Sequence, residues 1–282
     1  MSDVVLNMAL VFVGLAAIYV PLERSFCARE QGHLRRGIGL DLAYFALQML
    51  VMVGVFFALH DWLRVLLRGP ALVTGAVATL PLVLQALLVV VLGDFFLYWA
   101  HRLSHRVPLL WRFHGVHHTA ERLDWLAAYR EHPLDGIYSQ LFLMAPCMFL
   151  GVSPFAIMPL LVLRGVWAVL VHSNTRLPLG PLGLLLGDPV LHRWHHARRA
   201  QADNFANLAP YLDVIFGTHH RPEHEDYPLG IEGESVPRAF LPQLLPGLAP
   251  LSAWLRRAPA AEQAEPAESA EPAAPLEHAT TR

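Results

Sequence analysis

Histidine is the residue type through which this chain can do chemistry. The 282 residues include 16 histidines, and 13 of them fall between positions 101 and 224. A neutral imidazole offers one lone pair and is the commonest protein ligand for metals. The spacing is as informative as the number. His101 and His105 stand four apart, His114, His117 and His118 form HxxHH, and His192, His195 and His196 repeat that pattern. On an α-helix, positions i, i+3 and i+4 share one face, so the spacing predicts that each triplet aims three imidazoles at one point. An HxxxH pair alone is more often polar surface than a ligand pair. Two triplets beside such a pair supply eight ring nitrogens, enough for two metal ions rather than one. Imidazole suits zinc, copper, iron and nickel alike, so the ligand type leaves the metal open. The paired Glu-x-x-His pattern of soluble di-iron bundles is absent. A haem would use one or two of these histidines and leave six without a role.

The elements that must position these residues are apolar. Hydrophobic residues make up 55% of the chain and charged residues 16%, against about 25% charged in a soluble domain. The mean hydropathy is +0.39. With a net charge of −2, the composition argues against a nucleic-acid binder and for an integral membrane protein. Stretches 4–20, 40–59 and 77–99 approach the ~20 apolar residues that cross a bilayer. Residues 137–171 are apolar but broken at Pro146, Gly151–Pro154 and Pro159. They read as two short helices, a compact pair or re-entrant hairpin. The predicted fold is therefore all-α: about three long spans plus that pair, capped by a histidine-rich helical region. Cys27 and Cys147 are far apart and form no CxxC pair, which argues against a disulfide framework or a thiolate metal site.

Arginine sets the expected orientation, because the chain has no lysine. The loop after the first span carries Arg24, Arg29, Arg35 and Arg36, and the loop after the second only Arg64 and Arg68. The positive-inside rule then places the first loop and the histidines on the cytoplasmic side. Residues 259–282 hold five Glu and one Arg, a net of −4, so the rest of the chain carries +2. That Ala/Glu/Pro-rich tail is expected to be disordered. The expected organisation is 1–75 for N-terminal membrane helices, 76–222 for a catalytic region, 223–257 for an extension and 258–282 for the tail.

The motifs GDFFLYWAHRLSH, WRFHGVHH and LHRWHH resemble the three histidine boxes of the fatty acid hydroxylase and sterol desaturase superfamily. The flanking DWLAAYREHP, VHSNTRLPLGPLG and NFANLAPYLDVIFGTHHRP agree, and the resemblance covers residues 85–222. It implies an integral membrane enzyme with two iron ions that uses O2 and delivered electrons to hydroxylate or desaturate an unactivated C–H of a lipid. The implied metal ligands are His101, His105, His114, His117, His118, His192, His195 and His196, together with His172 in VHSNT and His132 in REHP. No HPGG haem motif is present, so a separate ferredoxin- or cytochrome b5-like protein is expected to supply electrons. The composition, rich in Ala, Arg, Leu and Pro, reads as that of a bacterial inner-membrane protein. Which lipid and which oligomeric state are not legible.

Some readings rest on position alone. Asp94 stands two turns before His101. A carboxylate within a span is costly, and orienting a ligand imidazole is its expected role, with an interhelical hydrogen bond as the plainer one. Arg112, Arg130 and Arg193 either hold a polar head group or face the cytoplasm. Tyr98 and Trp99 read as an interfacial belt. His33, His60, His219, His220, His224 and His278 read as surface or tail. Two rivals compete with the oxygenase: a di-zinc hydrolase or isomerase, in which zinc could also occupy the purified protein, and a metal-handling membrane protein. A transporter would carry ligands midway through its spans, whereas here they gather at one end.

Overall fold

A computed structural model describes residues 2–245 apart from 33, 68, 200–201 and 232–238. The predicted tail, His33 and His278 lie outside the described residues. Within them the regular structure is helical, with two isolated β-bridges. The helices are α1 (Ser2–Ser25), α2 (Ile38–Leu47), α3 (Val53–Leu66), α4 (Ala71–Ala78), α5 (Leu82–Arg106), α6 (Pro108–His114), α7 (Pro133–Phe149), α8 (Pro154–His172), α9 (Gly183–Leu186), α10 (Pro189–His195), α11 (Tyr211–Ile215) and α12 (Phe240–Leu244).

Proline and small caps set the boundaries that matter for the histidines. Val107, extended ahead of Pro108, ends α5 just after His105, because the proline ring disfavours helical backbone in the residue before it. Helices α7, α8 and α10 each open with proline in the first turn behind a side-chain cap. The caps His132, Ser153 and Asp188 accept from the backbone N–H of Leu134, Phe155 and Val190. A capping acceptor followed by a proline, which has no N–H to satisfy, is a strong start signal. Gly187 precedes the last cap with φ +80°, and a Cβ there would collide with the Asn207 carbonyl, so only glycine fits.

Among the described residues, three helices are long and apolar enough to cross a membrane: Asp3–Ser25, Leu82–Arg106 and Phe155–His172. Their apolar faces point outward, as at Val83, Val91 and Val162; hydrocarbon tolerates this and water does not. This is the surface that a membrane protein presents to lipid. The set differs from expectation in one member. Residues 40–59 do not form one straight span, because a five-residue π-helix, Gln48–Met52, separates α2 from α3. Gln48 is buried there and donates to the Glu131 carboxylate at 3.2 Å. The supposed short pair also differs. Helices α7 and α8 run 17 and 19 residues, and both pack against α5. Pro146 and Pro159 lie inside them without ending them.

Apolar cores hold this frame. Leu63, Val77, Val89, Met144, Cys147 and Ile157 join α3, α4, α5, α7 and α8. Leu15, Tyr19, Phe45, Trp125 and Val169 join α1, α2 and α8 to the segment after the second box. A buried charge network ties that segment to the N-terminal part. Arg35 bonds Asp124 and Asp41, each at 2.6 Å, and Arg130 bonds the other oxygen of Asp41 at 2.5 Å. Buried charges survive because they are paired.

Candidate metal centre

The nine histidines of the three boxes and VHSNT gather into two groups. His101, His105, His114, His118 and His195 form the first, and His117, His172, His192 and His196 the second. Within each group one ligand nitrogen per residue lies within 4.8 Å of all the others. The expectation that each triplet aims at a single point is corrected. The second triplet is mostly helical, with His196 just beyond α10. The first is not one helix, since α6 ends at His114 and a 3₁₀ turn carries His117–Thr119. In both, the i and i+4 residues stay together and the i+3 residue crosses to the other group. His114 and His118 thus meet His195, while His192 and His196 meet His117.

The converging atoms are the Nε2 nitrogens. In the first group His101–His114, His105–His114 and His105–His195 are each 3.1 Å apart, and His114–His118 3.2 Å. In the second, His117–His172, His172–His192 and His192–His196 are 2.9, 2.8 and 3.1 Å apart. The other ring nitrogen fixes the tautomer. Nδ1 of His101, His117, His172 and His195 donates to the carbonyls of Phe205, Arg130, Ala168 and Asp203, at 2.6, 3.1, 2.6 and 2.6 Å. A carbonyl only accepts, so Nδ1 carries the proton and Nε2 of a neutral ring is a bare lone pair. Lone pairs facing one another at such distances repel unless a cation lies among them. Nitrogens about 3 Å apart are also the spacing of neighbouring ligands held about 2.1 Å from one ion. The donor set therefore fits a metal ion in each group.

Burial keeps the rings in the ligating form. His117, His118, His192, His195 and His196 sit well below the ordinary histidine range, first through burial and then through the neighbouring imidazoles. Asp135, in the first turn of α7, lies 2.9 Å from His114 Nδ1. That is the carboxylate–imidazole pairing that orients a metal ligand. The loop that supplies the Phe205 and Asp203 carbonyls is itself pinned. Asn204, at φ 55°, donates to Leu191 and His220 and accepts from the His220 N–H. Asp213 accepts from the N–H groups of Phe205 and Ala206 and the hydroxyl of Thr218, and burial lifts its pKa to about 6. Asn204 and Asp213 stand in a stretch quoted for the resemblance and Asp135 two residues beyond another, but single-residue spacing gave them no role.

Other expected site residues lie elsewhere. His132 belongs to neither group, since its Nδ1 caps α7 and its Nε2 faces the Leu244 carbonyl at 3.4 Å. Asp94 pairs with Arg164 of α8 at 2.5 Å, so the plainer interhelical role is the one found. Arg130 and Arg193 face neither head group nor cytoplasm: both are buried, paired with Asp41 and Glu225. Arg112 is buried as well. Tyr98 is no interfacial residue; it is buried with its hydroxyl 2.9 Å from Thr218 Oγ1. His224 and His220 are exposed, His60 and His219 half-buried.

Between α5, α7 and α8 lies a cavity of about 260 Å³. His101, His114, His117 and His172 border it, so it touches both groups. Leu97, Leu143 and Leu161 form apolar wall, and Asp94 and Arg164 also line it.

These features match known proteins. Residues 86–218 match the family model described as fatty acid hydroxylase. An ornithine lipid hydroxylase of Rhizobium tropici is 34% identical over 168 residues, 58% of this chain and 50% of that protein. The human alkylglycerol monooxygenase is 34% identical over 128 residues, 44% of this chain and 28% of that protein. A Delta(7)-sterol 5(6)-desaturase of Gibberella zeae is 29% identical over 131 residues, 46% of this chain and 36% of that protein. The segment carrying the histidines is similar to the fatty acid hydroxylase family, as its three motifs implied. The chain spans half or less of the length of these relatives. No solved structure matches it significantly.

Proposed function

We propose that this chain is a membrane-bound, O2-dependent hydroxylase or desaturase of a lipid, with two metal ions held by His101, His105, His114, His118 and His195 and by His117, His172, His192 and His196. The observation that carries the reading is the convergence of nine imidazole nitrogens on two points beside a cavity between membrane helices. Iron is the proposed metal. Five imidazoles in one group exceed the four ligands of an ordinary zinc site, and the related hydroxylases and desaturases carry out redox reactions by name. Two bound iron ions would supply the redox chemistry that activates O2 and removes hydrogen from carbon. In a hydroxylation, RH, O2, two electrons and two protons give ROH and water.

The chain's own residues do the rest. Neutral imidazoles present their lone pairs, held by backbone carbonyls and by Asp135. Trp111 packs over His105 and His118, and Phe205 over His101, His105 and His195. These rings exclude water, which limits side reactions of an oxidising site. The cavity holds the substrate against His101, His114, His117 and His172.

The arginine distribution supports a histidine region on the cytoplasmic side of a bacterial inner membrane, with a separate redox protein as electron donor. The catalytic region corresponds to residues 76–222, between N-terminal membrane helices and a C-terminal extension. Metal analysis with O2 uptake tests the reading. Iron-dependent O2 consumption on adding a lipid is expected, and two zinc ions with no iron-dependent turnover would contradict it.

A further inference from the structure

Two short apolar elements of the histidine-bearing part turn outward. Residues 177–187, LPLGPLGLLLG, hold no polar side chain, and they include α9. Leu182 and Leu185 are more than half exposed there, as are Val214 and Ile215 at the end of α11. The next stretch is the opposite in character, since residues 219–226 read HHRPEHED. An exposed apolar patch marks a contact with something apolar.

Position along the spans identifies that contact. The Leu186 carbonyl accepts from Trp167 Nε1, and a Cβ at Gly187 would meet Val171 Cγ1 at 3.0 Å. This segment therefore lies against α8 between the levels of Trp167 and Val171. Trp167 precedes His172 by five residues, about 7 Å along the axis. It stands one turn after Leu163, which faces outward on that span. At α5, Phe216 packs against Tyr98 and Trp99 with ring centroids 5.1 Å away, and lies 6.3 Å from Phe95. Phe95 is exposed and precedes His101 by six residues, about 9 Å along the axis. Both elements thus reach past the histidine-bearing ends of α5 and α8 toward the middle of these helices. Their exposed side chains continue the outward apolar surface of the spans.

We infer that α9 and α11 insert into the leaflet on the histidine side, so that the protein meets the bilayer through an in-plane surface as well as through its spans. The partner is the acyl-chain region of the surrounding phospholipid. No arginine lies within 177–187 or 211–217, so the insertion is apolar and needs no anionic head group. Residues 205–209 line the cavity and lead through Pro210 into α11, so the insertion sets that wall at the level of the acyl chains. The inference is independent of the oxygenase reading and rests only on the spans crossing a bilayer.

Nitroxide accessibility tests it on the 282-residue chain in nanodiscs of neutral phosphatidylcholine. With Cys27→Ser removing the exposed thiol, labels are attached through Leu185→Cys and Ile215→Cys. Val91→Cys on α5 and Glu223→Cys, both at exposed positions, give the hydrocarbon and water references. Molecular oxygen concentrates in hydrocarbon, whereas a nickel chelate stays in water. At 185 and 215 the ratio of oxygen to nickel collisions should exceed that at 223 severalfold and approach that at 91. A ratio at either site no higher than at 223 would overturn the inference by placing that element in water. Few collisions with either reagent would also overturn it, because protein, such as a second copy of the chain, would then be the cover. Should a labelled variant not fold, hydroxyl-radical footprinting of the unsubstituted chain decides. Corrected for side-chain reactivity, residues 182–186 should be protected relative to 219–226, and equal modification would overturn the inference.

Discussion

The first histidine group holds five imidazoles and reaches the surface through half-buried His101 and His105, whereas the second holds four, all buried. Both draw on the same HxxHH motif, and each borrows the i+3 residue of the other's triplet. The first is braced by one carboxylate, Asp135, and by the carbonyls of Phe205 and Asp203. The second is braced by the carbonyls of Arg130 and Ala168 alone, and Nδ1 of His192 and His196 is buried without a partner. His118 of one group stacks on His196 of the other, with ring centroids 4.3 Å apart. The difference shows what the motif does. An i, i+4 pair stays with one group, and the crossing i+3 residue stitches the two together, so neither group forms without both triplets in place.

The largest expected contrast comes from deleting one ligand from each group. His192→Ala leaves three imidazoles in the second group, and metal content should fall by about one ion per chain, with activity lost. His105→Ala leaves four in the first, and about two ions should be retained at reduced activity. Equal metal loss in both variants would break the proposed asymmetry. Asp135→Asn removes the one carboxylate brace and should weaken metal retention in the first group about 10–100-fold, measured by chelator competition, without affecting the second.

Acidification should act on the buried rings next. His117, His118, His192, His195 and His196 are held below the ordinary value of 6.5. Above pH 6.5 they are neutral both folded and unfolded, and contribute no pH dependence. Below it the unfolded chain takes up protons first. Stability of the metal-free protein should therefore fall as pH drops through 6.5, and metal retention with it. Unfolding midpoints that stay flat between pH 7 and 5 would contradict this. The smallest effect on metal belongs to Asp94→Asn, which breaks the pair with Arg164 but touches no histidine. Metal content should be unchanged while thermal stability drops; loss of metal would restore the imidazole-orienting role first expected of Asp94.

Local signals made much of this legible. His101 and His105 at the foot of an apolar helix, the doubled triplet, and His172 at the end of α8 could be read from spacing and motif, and all nine residues meet in the structure. What spacing could not give is the partition. That depends on a 3₁₀ turn after His114, where Gly115 caps α6 with right-handed helical angles, so the helix stop it signals does not by itself give the path of His117 and His118. Asp94 was misread because Arg164, its partner, lies 70 residues away on a helix whose length the internal prolines disguised. The π-helix at Gln48 escaped for a similar reason: a hydropathy profile sees a continuous apolar run there, while the break serves one buried amide and its bond to Glu131.

Counting iron tests the central claim most directly. The 282-residue chain, reconstituted with ferrous iron without oxygen and freed of unbound metal, should hold about two iron ions. In His192→Ala the number should drop to about one. A single iron in the wild type, or two that survive in His192→Ala, would contradict the assignment of two ions to these two groups.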